Sequence, residues 1–115
     1  MNREREMNKK ILPEANAKVL NIIRSLDPMP AKERPVTFWF ISDTEKQVYL
    51  LADYLMKKCW PLQYCGKTCN NKWLLIAEQT LAPAQDSLDN LCIYCESLAK
   101  EFNIEFDGWE TQIPV

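Results

Sequence analysis

Apolar side chains recur along this chain at two spacings, and the alternation of the two spacings predicts an order of helices and strands. Steps of three and four residues predict amphipathic helices, whereas short apolar runs between turn residues predict buried strands. A first helix is predicted after Pro13, because proline suits the first helical position. The prolines from Pro28 onward end this helix, since the residue before a proline is driven out of the helical region. The apolar stripe of the helix is Ala15, Val19, Ile22, Ile23 and Leu26.

A strand and a second helix are predicted after a proline-rich linker that runs to Pro35. Residues 36–41 form the strand, and they are apolar on both faces. Ser42 and Glu45 have the spacing of a capping box, in which serine and glutamate close the first helical turn. The apolar stripe of the second helix is Val48, Leu51, Ala52, Leu55, Met56 and Cys59.

Two further strands, a last helix and a final strand follow the break at Trp60-Pro61. The two strands are predicted at residues 62–65 and 72–79, with a turn between them. Pro83 is predicted to open the last helix, and the final strand covers residues 104–113. The apolar stripe of the last helix is Leu88, Leu91, Cys92, Cys95, Leu98, Ala99 and Phe102.

This order of elements predicts an α+β fold of the ferredoxin-like βαββαβ kind, with an antiparallel four-stranded sheet and an extra N-terminal helix. Residues 1–35 are then the N-terminal amphipathic helix with its proline-rich linker, and residues 36–115 are the ferredoxin-like domain. Two helices cover only one face of such a sheet, yet the first strand is apolar on both. We expect the N-terminal helix to cover the second face. A dimer interface or a partner protein is the alternative, and the choice between monomer and dimer stays open.

Composition narrows the function classes. The chain has 115 residues, which suits one domain, and it has no apolar run near the roughly 20 residues that span a bilayer. Its charged N-terminus lacks the apolar core of a signal peptide, so we expect a cytoplasmic protein with reduced cysteines. Histidine is absent, which removes the commonest general base and metal ligand. The sequence therefore predicts a protein that is not an enzyme and needs no cofactor.

Charge is distributed unevenly along the chain. Residues 76–115 carry one basic and eight acidic side chains, whereas residues 1–35 and residues 36–75 are each net basic. An acidic C-terminal third favours a basic protein partner and disfavours contact with nucleic acid there. A solvated acidic face that keeps the protein soluble is the alternative interpretation.

The cysteines and the aromatic residues each suggest another function. Cys65 and Cys69 lie at a turn and are candidate zinc ligands, in a small metal- or ligand-binding domain. Cys92 and Cys95 have the spacing of a metal-binding pair, but they fall on an apolar helical stripe, where reduced cysteine packs as a small hydrophobe. A βαββαβ sheet that carries aromatic residues also resembles an RNA-binding module, although the basic-glycine-aromatic signature of that module is missing. The aromatic residues concerned are Phe38, Trp39, Phe40 and Trp73.

The string Asp107-Gly108-Trp109 interrupts the last predicted strand. Aspartate and glycine suit a β-bulge, after which the tryptophan covers the edge of the core. An exposed tryptophan among acidic residues is instead a plausible binding hot spot, and both interpretations of Trp109 stay open. The neighbouring acidic residues are Glu101, Glu105 and Glu110. We predict that these three, together with Asp107 and Trp109, contact a partner.

The C-terminal string as a whole resembles the family of regulators of ribonuclease E activity B (RraB). The resemblance is carried by Leu98-Ala99 and Phe102 at the helix end and by residues 104–109, and more loosely by residues 36–115. It implies a ferredoxin-like, non-catalytic, bacterial protein that binds the scaffold region of ribonuclease E, inhibits the enzyme and so modulates RNA decay. The basic N-terminal segment would make this chain a divergent member.

Overall fold

The computed structural model describes residues 16–26, 32–82 and 84–111, the Gln85 side chain excepted. Helix α1 covers residues 16–26, and six further elements follow it in the predicted order. These are β1 (Arg34–Ser42), α2 (Glu45–Lys57), β2 (Leu62–Lys67), β3 (Trp73–Leu81), α3 (Gln85–Glu101) and β4 (Glu105–Thr111). The predicted α+β class, the order of elements and the four-stranded antiparallel sheet are confirmed.

The sheet has the strand order β2-β3-β1-β4, and every neighbouring pair is antiparallel. β1 is therefore an inner strand, between β3 and β4. This position explains why β1 is apolar at most positions, since an inner strand has neighbours along both edges and packs on at least one face.

The two faces of the sheet differ in what covers them. Val36, Phe38 and Phe40 of β1 are buried in one core with the apolar residues of α2 and α3, and we call this side the helix-covered face. The intervening side chains of β1 point the other way and are half-exposed, and we call that side the open face. Those side chains are Thr37, Trp39 and Ile41.

α1 lies on the helix-covered side, so the prediction that it covers the second face is wrong. Its residues Leu20 and Ile23 belong to the same core as α2 and α3. The predicted stripe is also wrong in part, because Val19, Ile22 and Leu26 are exposed. The physical reason is the buried Asn16, whose side-chain hydrogen bonds to α3 and β4 set the inward face of the helix. Pro13 and Ala15 lie outside the described residues.

The predicted capping box is wrong as well. Ser42 is the last residue of β1, and its hydroxyl accepts a hydrogen bond from the Thr44 N–H at 3.1 Å. Thr44 is the N-cap of α2, and its side chain makes no capping hydrogen bond. α3 begins at Gln85 with Ala84 as the N-cap, two residues after the predicted start, and Pro83 lies outside the described residues.

α2 and α3 end in the same way, with a residue in the left-handed conformation. After α2, Cys59 has a φ of 65°, and the Trp60 N–H donates to the Leu55 carbonyl at 3.0 Å. After α3, Asn103 has a φ of 56°, and the Ile104 N–H donates to a carbonyl five residues back at 2.8 Å. This is the hydrogen-bond pattern of the Schellman motif, which reverses the chain into β2 and β4. It also explains why Cys59, predicted to face the core, is exposed.

The predicted stripes of α2 and α3 are otherwise confirmed. Met56 on α2 is exposed, while Leu91 and Phe102 on α3 are half-buried against the core. The remaining stripe residues are buried: Val48, Leu51, Ala52, Leu55, Leu88, Cys92, Cys95, Leu98 and Ala99.

β4 contains a bulge at Asp107 and Gly108. Trp39 of β1 lies opposite Gly108, whereas Phe40 lies opposite Phe106, so that Asp107 is the extra residue. Gly108 has a φ of 109°, which side chains with a Cβ rarely adopt, and a Cβ built on it would meet nothing within 4 Å. The requirement for glycine here is therefore conformational and not steric.

We predict that Gly108→Ala lowers the free energy of unfolding by about 1–3 kcal/mol, the cost of holding a non-glycine residue in this conformation. Urea unfolding followed by circular dichroism measures the change. Glu110→Ala, at an exposed position of the same strand, is the matched control and should change stability by less than about 0.5 kcal/mol. A Gly108→Ala protein as stable as the control would contradict the bulge geometry.

Candidate functional site

The bulge decides which side chains of β4 face the helices. Because the bulge takes Asp107 out of the ladder, Trp109 lies opposite Phe38 on the helix-covered face, and Glu110 lies opposite Thr37 on the open face. If Asp107 paired as an ordinary strand residue, Trp109 and Glu110 would exchange faces, since neighbouring residues of a strand point to opposite faces. The bulge therefore directs the indole inward and the carboxylate outward.

Trp109 is joined to α1 and α3 through Asn16. The Trp109 indole N–H donates to Asn16 Oδ1 at 2.7 Å, and Asn16 Nδ2 donates to Asp89 Oδ1 at 2.8 Å. The same amide donates a weaker bond to Cys92 Sγ at 3.7 Å. Asn16 is 2% exposed, so these bonds replace its contacts with water. The contact holds the helix against the edge strand of the sheet.

The open face carries a tryptophan beside a row that contains two carboxylates. Thr37 lies opposite Glu78 on β3 and opposite Glu110 on β4, so the three residues form one row across the sheet. Trp39 is the next open-face residue along β1, and its indole N–H donates to Thr37 Oγ1 at 3.0 Å. Ile76 of β3 flanks Trp39, and together these side chains line a groove of about 380 Å³.

Glu105 lies at the other end of the open face, in a different electrostatic setting. It is opposite Ile41 and shares a polar groove with Asp43 and Lys72. The Asp43 carboxylate accepts a hydrogen bond from Lys72 and raises the pKa of that lysine. The charge of Glu105 contributes to the same rise in pKa. This end of the open face therefore carries side chains of both charge signs.

The structure does not bring the predicted partner-binding residues into one cluster. Glu105 and Glu110 lie on the open face, whereas Glu101 is exposed in the last turn of α3, in the helical layer. The hydrogen bond between the Tyr54 and Tyr94 hydroxyls, with burial, raises the pKa of Tyr94 to about 12, and Glu101 contributes to this shift. Asp107 is exposed at the bulge, where it has no opposite residue in β1. The bulge interrupts the regular alternation of side chains between Glu105 and Gly108.

Two residues of this region were not singled out by the sequence. Glu78 joins Glu110 only because β3 and β4 pair with the same strand, and the register of distant strands cannot be read from spacing. Asn16 carried no signal, because a buried asparagine on a helix resembles a solvent-facing one in sequence. The alternation of Ile76 and Glu78 with buried residues of β3 was the one available indication that they share the open face.

Comparison with known proteins identifies a family to which the chain is similar. The family model described as "Regulator of ribonuclease activity B" (RraB) matches residues 13–111. The chain belongs to the RraB family. A search of curated proteins found no match. Across the described residues of this RraB protein, no helix is long and apolar enough to cross a membrane.

The cysteines of this RraB protein lie in two environments. Cys65 of β2 is half-buried against the core, and burial raises the pKa of its thiol, while Cys69 is exposed in the following turn. Burial raises the pKa of Cys92 to about 11, and raises that of Cys95 also. Within the residues that the structure describes, no group of three or more histidine, cysteine, aspartate or glutamate side chains is placed to hold a metal ion. The zinc interpretation of Cys65 and Cys69 thus has no third ligand among them.

We predict that Trp109→Phe lowers the free energy of unfolding by about 1–3 kcal/mol, because it leaves the buried Asn16 oxygen without its donor. Urea unfolding measures this change. Trp39→Phe is the matched control, since its indole N–H bonds a hydroxyl on the half-exposed open face, where water can replace it. Equal losses in the two variants would show that the contact between Trp109 and Asn16 adds no stability.

We further predict that Cys59 and Cys69 react rapidly with Ellman's reagent in the folded protein at pH 8. Cys92 and Cys95 should react only on unfolding, because burial blocks access and the raised pKa keeps them protonated. Mass spectrometry of peptides labelled over time measures the order. Fast labelling of Cys92, or stoichiometric zinc that is lost in Cys65→Ser, would contradict this assignment.

Proposed function

We propose that this protein is a non-catalytic regulator that binds the scaffold region of ribonuclease E in the bacterial cytoplasm, inhibits the enzyme and so modulates RNA decay. The observation that carries the proposal is the match of the RraB family model over residues 13–111. A family of ribonuclease regulators implies a protein partner, and the specific enzyme and its scaffold region are the proposed part.

The composition of the chain supports a regulator without chemistry of its own. The chain has no histidine, and the groups with the largest pKa shifts are buried thiols and a tyrosine in the helical layer. These groups do not line the grooves of the open face. Regulation would then work by occupying the partner and not by modifying it.

The fold supports the proposal through its open sheet face. We propose that the domain is ferredoxin-like, which the strand order β2-β3-β1-β4 with β1 and β3 at the centre supports. In this arrangement the helices occupy one face, and the other face remains for a partner. The proposed contacts on or beside that face are Glu105, Asp107 and Glu110. Trp109 lies on the opposite, helix-covered face of the same strand.

The two other predicted contacts are assigned secondary roles. Trp109 uses its indole N–H within the protein, so we propose that it positions β4 instead of meeting the partner directly. Glu101 is exposed in the helical layer and would contribute only long-range attraction for a basic partner.

We predict that calorimetric titration with the ribonuclease E of the same organism gives binding that requires its scaffold region. The affinity should fall several-fold between low and physiological salt, because acidic side chains meet a basic partner. Glu105→Gln with Glu110→Gln should weaken binding, whereas Asp86→Asn, an exposed acid at the start of α3, is the charge-matched control. Binding that persists without the scaffold region, or no binding at either salt concentration, would contradict the proposal.

A further inference from the structure

The groove on the open face has a chemistry that membership of a regulator family does not specify. Its floor is the half-exposed Trp39 beside Ile76, and its two sides carry Glu78 and Glu110. Adjacent strands lie about 4.8 Å apart, so the backbones of these two glutamates, on either side of β1, are separated by about 10 Å. Thr37 lies between these glutamates, and the Trp39 indole N–H bonds to its hydroxyl, so a side chain that enters at this edge of the indole would lie between two carboxylates.

The charges of Glu78 and Glu110 are not neutralised within the described residues. Gln63 donates a hydrogen bond to Glu78 Oε1, but an amide donor carries no charge. Among residues 16–26, 32–82 and 84–111, ion pairs join Lys57 to Asp53 and Lys72 to Asp43, and neither pair involves these glutamates. The guanidinium of Arg34, at one end of the groove, is turned to the backbone, where Nε donates to the Lys32 carbonyl at 3.2 Å.

Trp39 is held in place and has one open flank. Its indole N–H is bonded to Thr37 Oγ1, which in turn donates to the Glu110 carbonyl at 3.2 Å. Gly108 of β4 lies opposite Trp39, and a Cβ built there would meet nothing within 4 Å, so the space around this position is open.

We propose that this groove binds an arginine side chain of the partner protein, with the guanidinium on the Trp39 ring and its N–H groups donating to Glu78 and Glu110. A planar guanidinium stacks on an aromatic ring and donates to carboxylates in its own plane, so it satisfies both features at once. A lysine ammonium is a compact charge that cannot make both contacts with the same geometry. The identity of the partner rests on the proposed function, whereas the preference for arginine rests on the groove.

The same charges disfavour the other occupants of a sheet face. RNA would bring phosphates against the carboxylates of Glu78 and Glu110, which repel them. A second copy of this chain that docks face to face would bring two acidic grooves together. A basic, arginine-containing protein segment is the occupant that complements the groove.

The test uses the full chain, labelled with ¹⁵N, and a synthetic peptide of alternating arginine and glycine. A peptide with lysine at each arginine position is the matched probe. We expect the arginine peptide to shift the indole N–H resonance of Trp39, which Trp39→Phe identifies, and to bind several-fold more tightly than the lysine peptide. Glu78→Gln and Glu110→Gln should each weaken arginine-peptide binding roughly two- to fivefold. Asp86→Asn, with the same change of charge, should not.

Three results would overturn the proposal: equal affinity for the two peptides, an unmoved Trp39 resonance, or equal weakening by Asp86→Asn. A shift of Trp39 by single-stranded RNA, or concentration-dependent dimerisation that removes the shift, would assign the face to another occupant. The scaffold region of ribonuclease E is titrated in parallel. If the arginine peptide binds at Trp39 and the scaffold does not bind, the proposed function fails and the groove stands. If the scaffold binds without moving Trp39 or responding to Glu78→Gln, the groove fails and the proposed function stands.

Discussion

One extra residue in β4 determines how the two sides of this protein differ. Phe106 and Trp109 are three residues apart, so a regular alternation of side chains would place them on opposite faces of the strand. The bulge takes Asp107 out of the ladder, so that both aromatic residues point to the helices and Glu110 points away from them. If Asp107 instead paired in the ladder, a carboxylate would face the core and an indole would lose its buried partner, and each of these is unfavourable. Gly108 permits the insertion, because it adopts a backbone conformation that other residues reach only with strain.

Aromatic packing on the helix-covered face stabilises this arrangement of β4. Phe38 and Phe40 of β1 pack against Phe106, with ring centroids 6.4 Å and 5.3 Å apart, and Trp109 continues the aromatic surface to the edge of the sheet. The hydrogen bond from Trp109 to Asn16 then attaches α1 to the same core. Because the three helices of the described residues are on this side, Trp39 and the acidic side chains of the open face remain accessible. One face of the sheet thus forms the core, and the other is accessible for contact with a partner.

Sequence reasoning succeeded where a local pattern has one structural meaning. The apolar periodicity predicted α2, α3 and the strands. Asp107-Gly108 suggested the bulge, because aspartate followed by glycine inside a strand is typical of a bulge or a tight bend. It failed where long-range contacts decide. The inward face of α1 is set by Asn16, a polar residue that finds partners 73 to 93 positions away. The pairing of Glu78 with Glu110 across Thr37, and the separation of Glu101 from both, depend on strand register and helix placement, which spacing along the chain does not encode.

The measurement that tests this account most directly is hydrogen exchange at the Trp109 indole N–H, followed by NMR in the intact protein and in a variant that lacks both Asp107 and Gly108. The account predicts a slowly exchanging indole N–H in the intact protein, because it is bonded to the buried Asn16. Deletion of the two residues should abolish that protection, since it makes Phe106 and Trp109 neighbours, which point to opposite faces of a strand. Rapid exchange in the intact protein, or unchanged protection after the deletion, would contradict the claim that the bulge directs Trp109 inward.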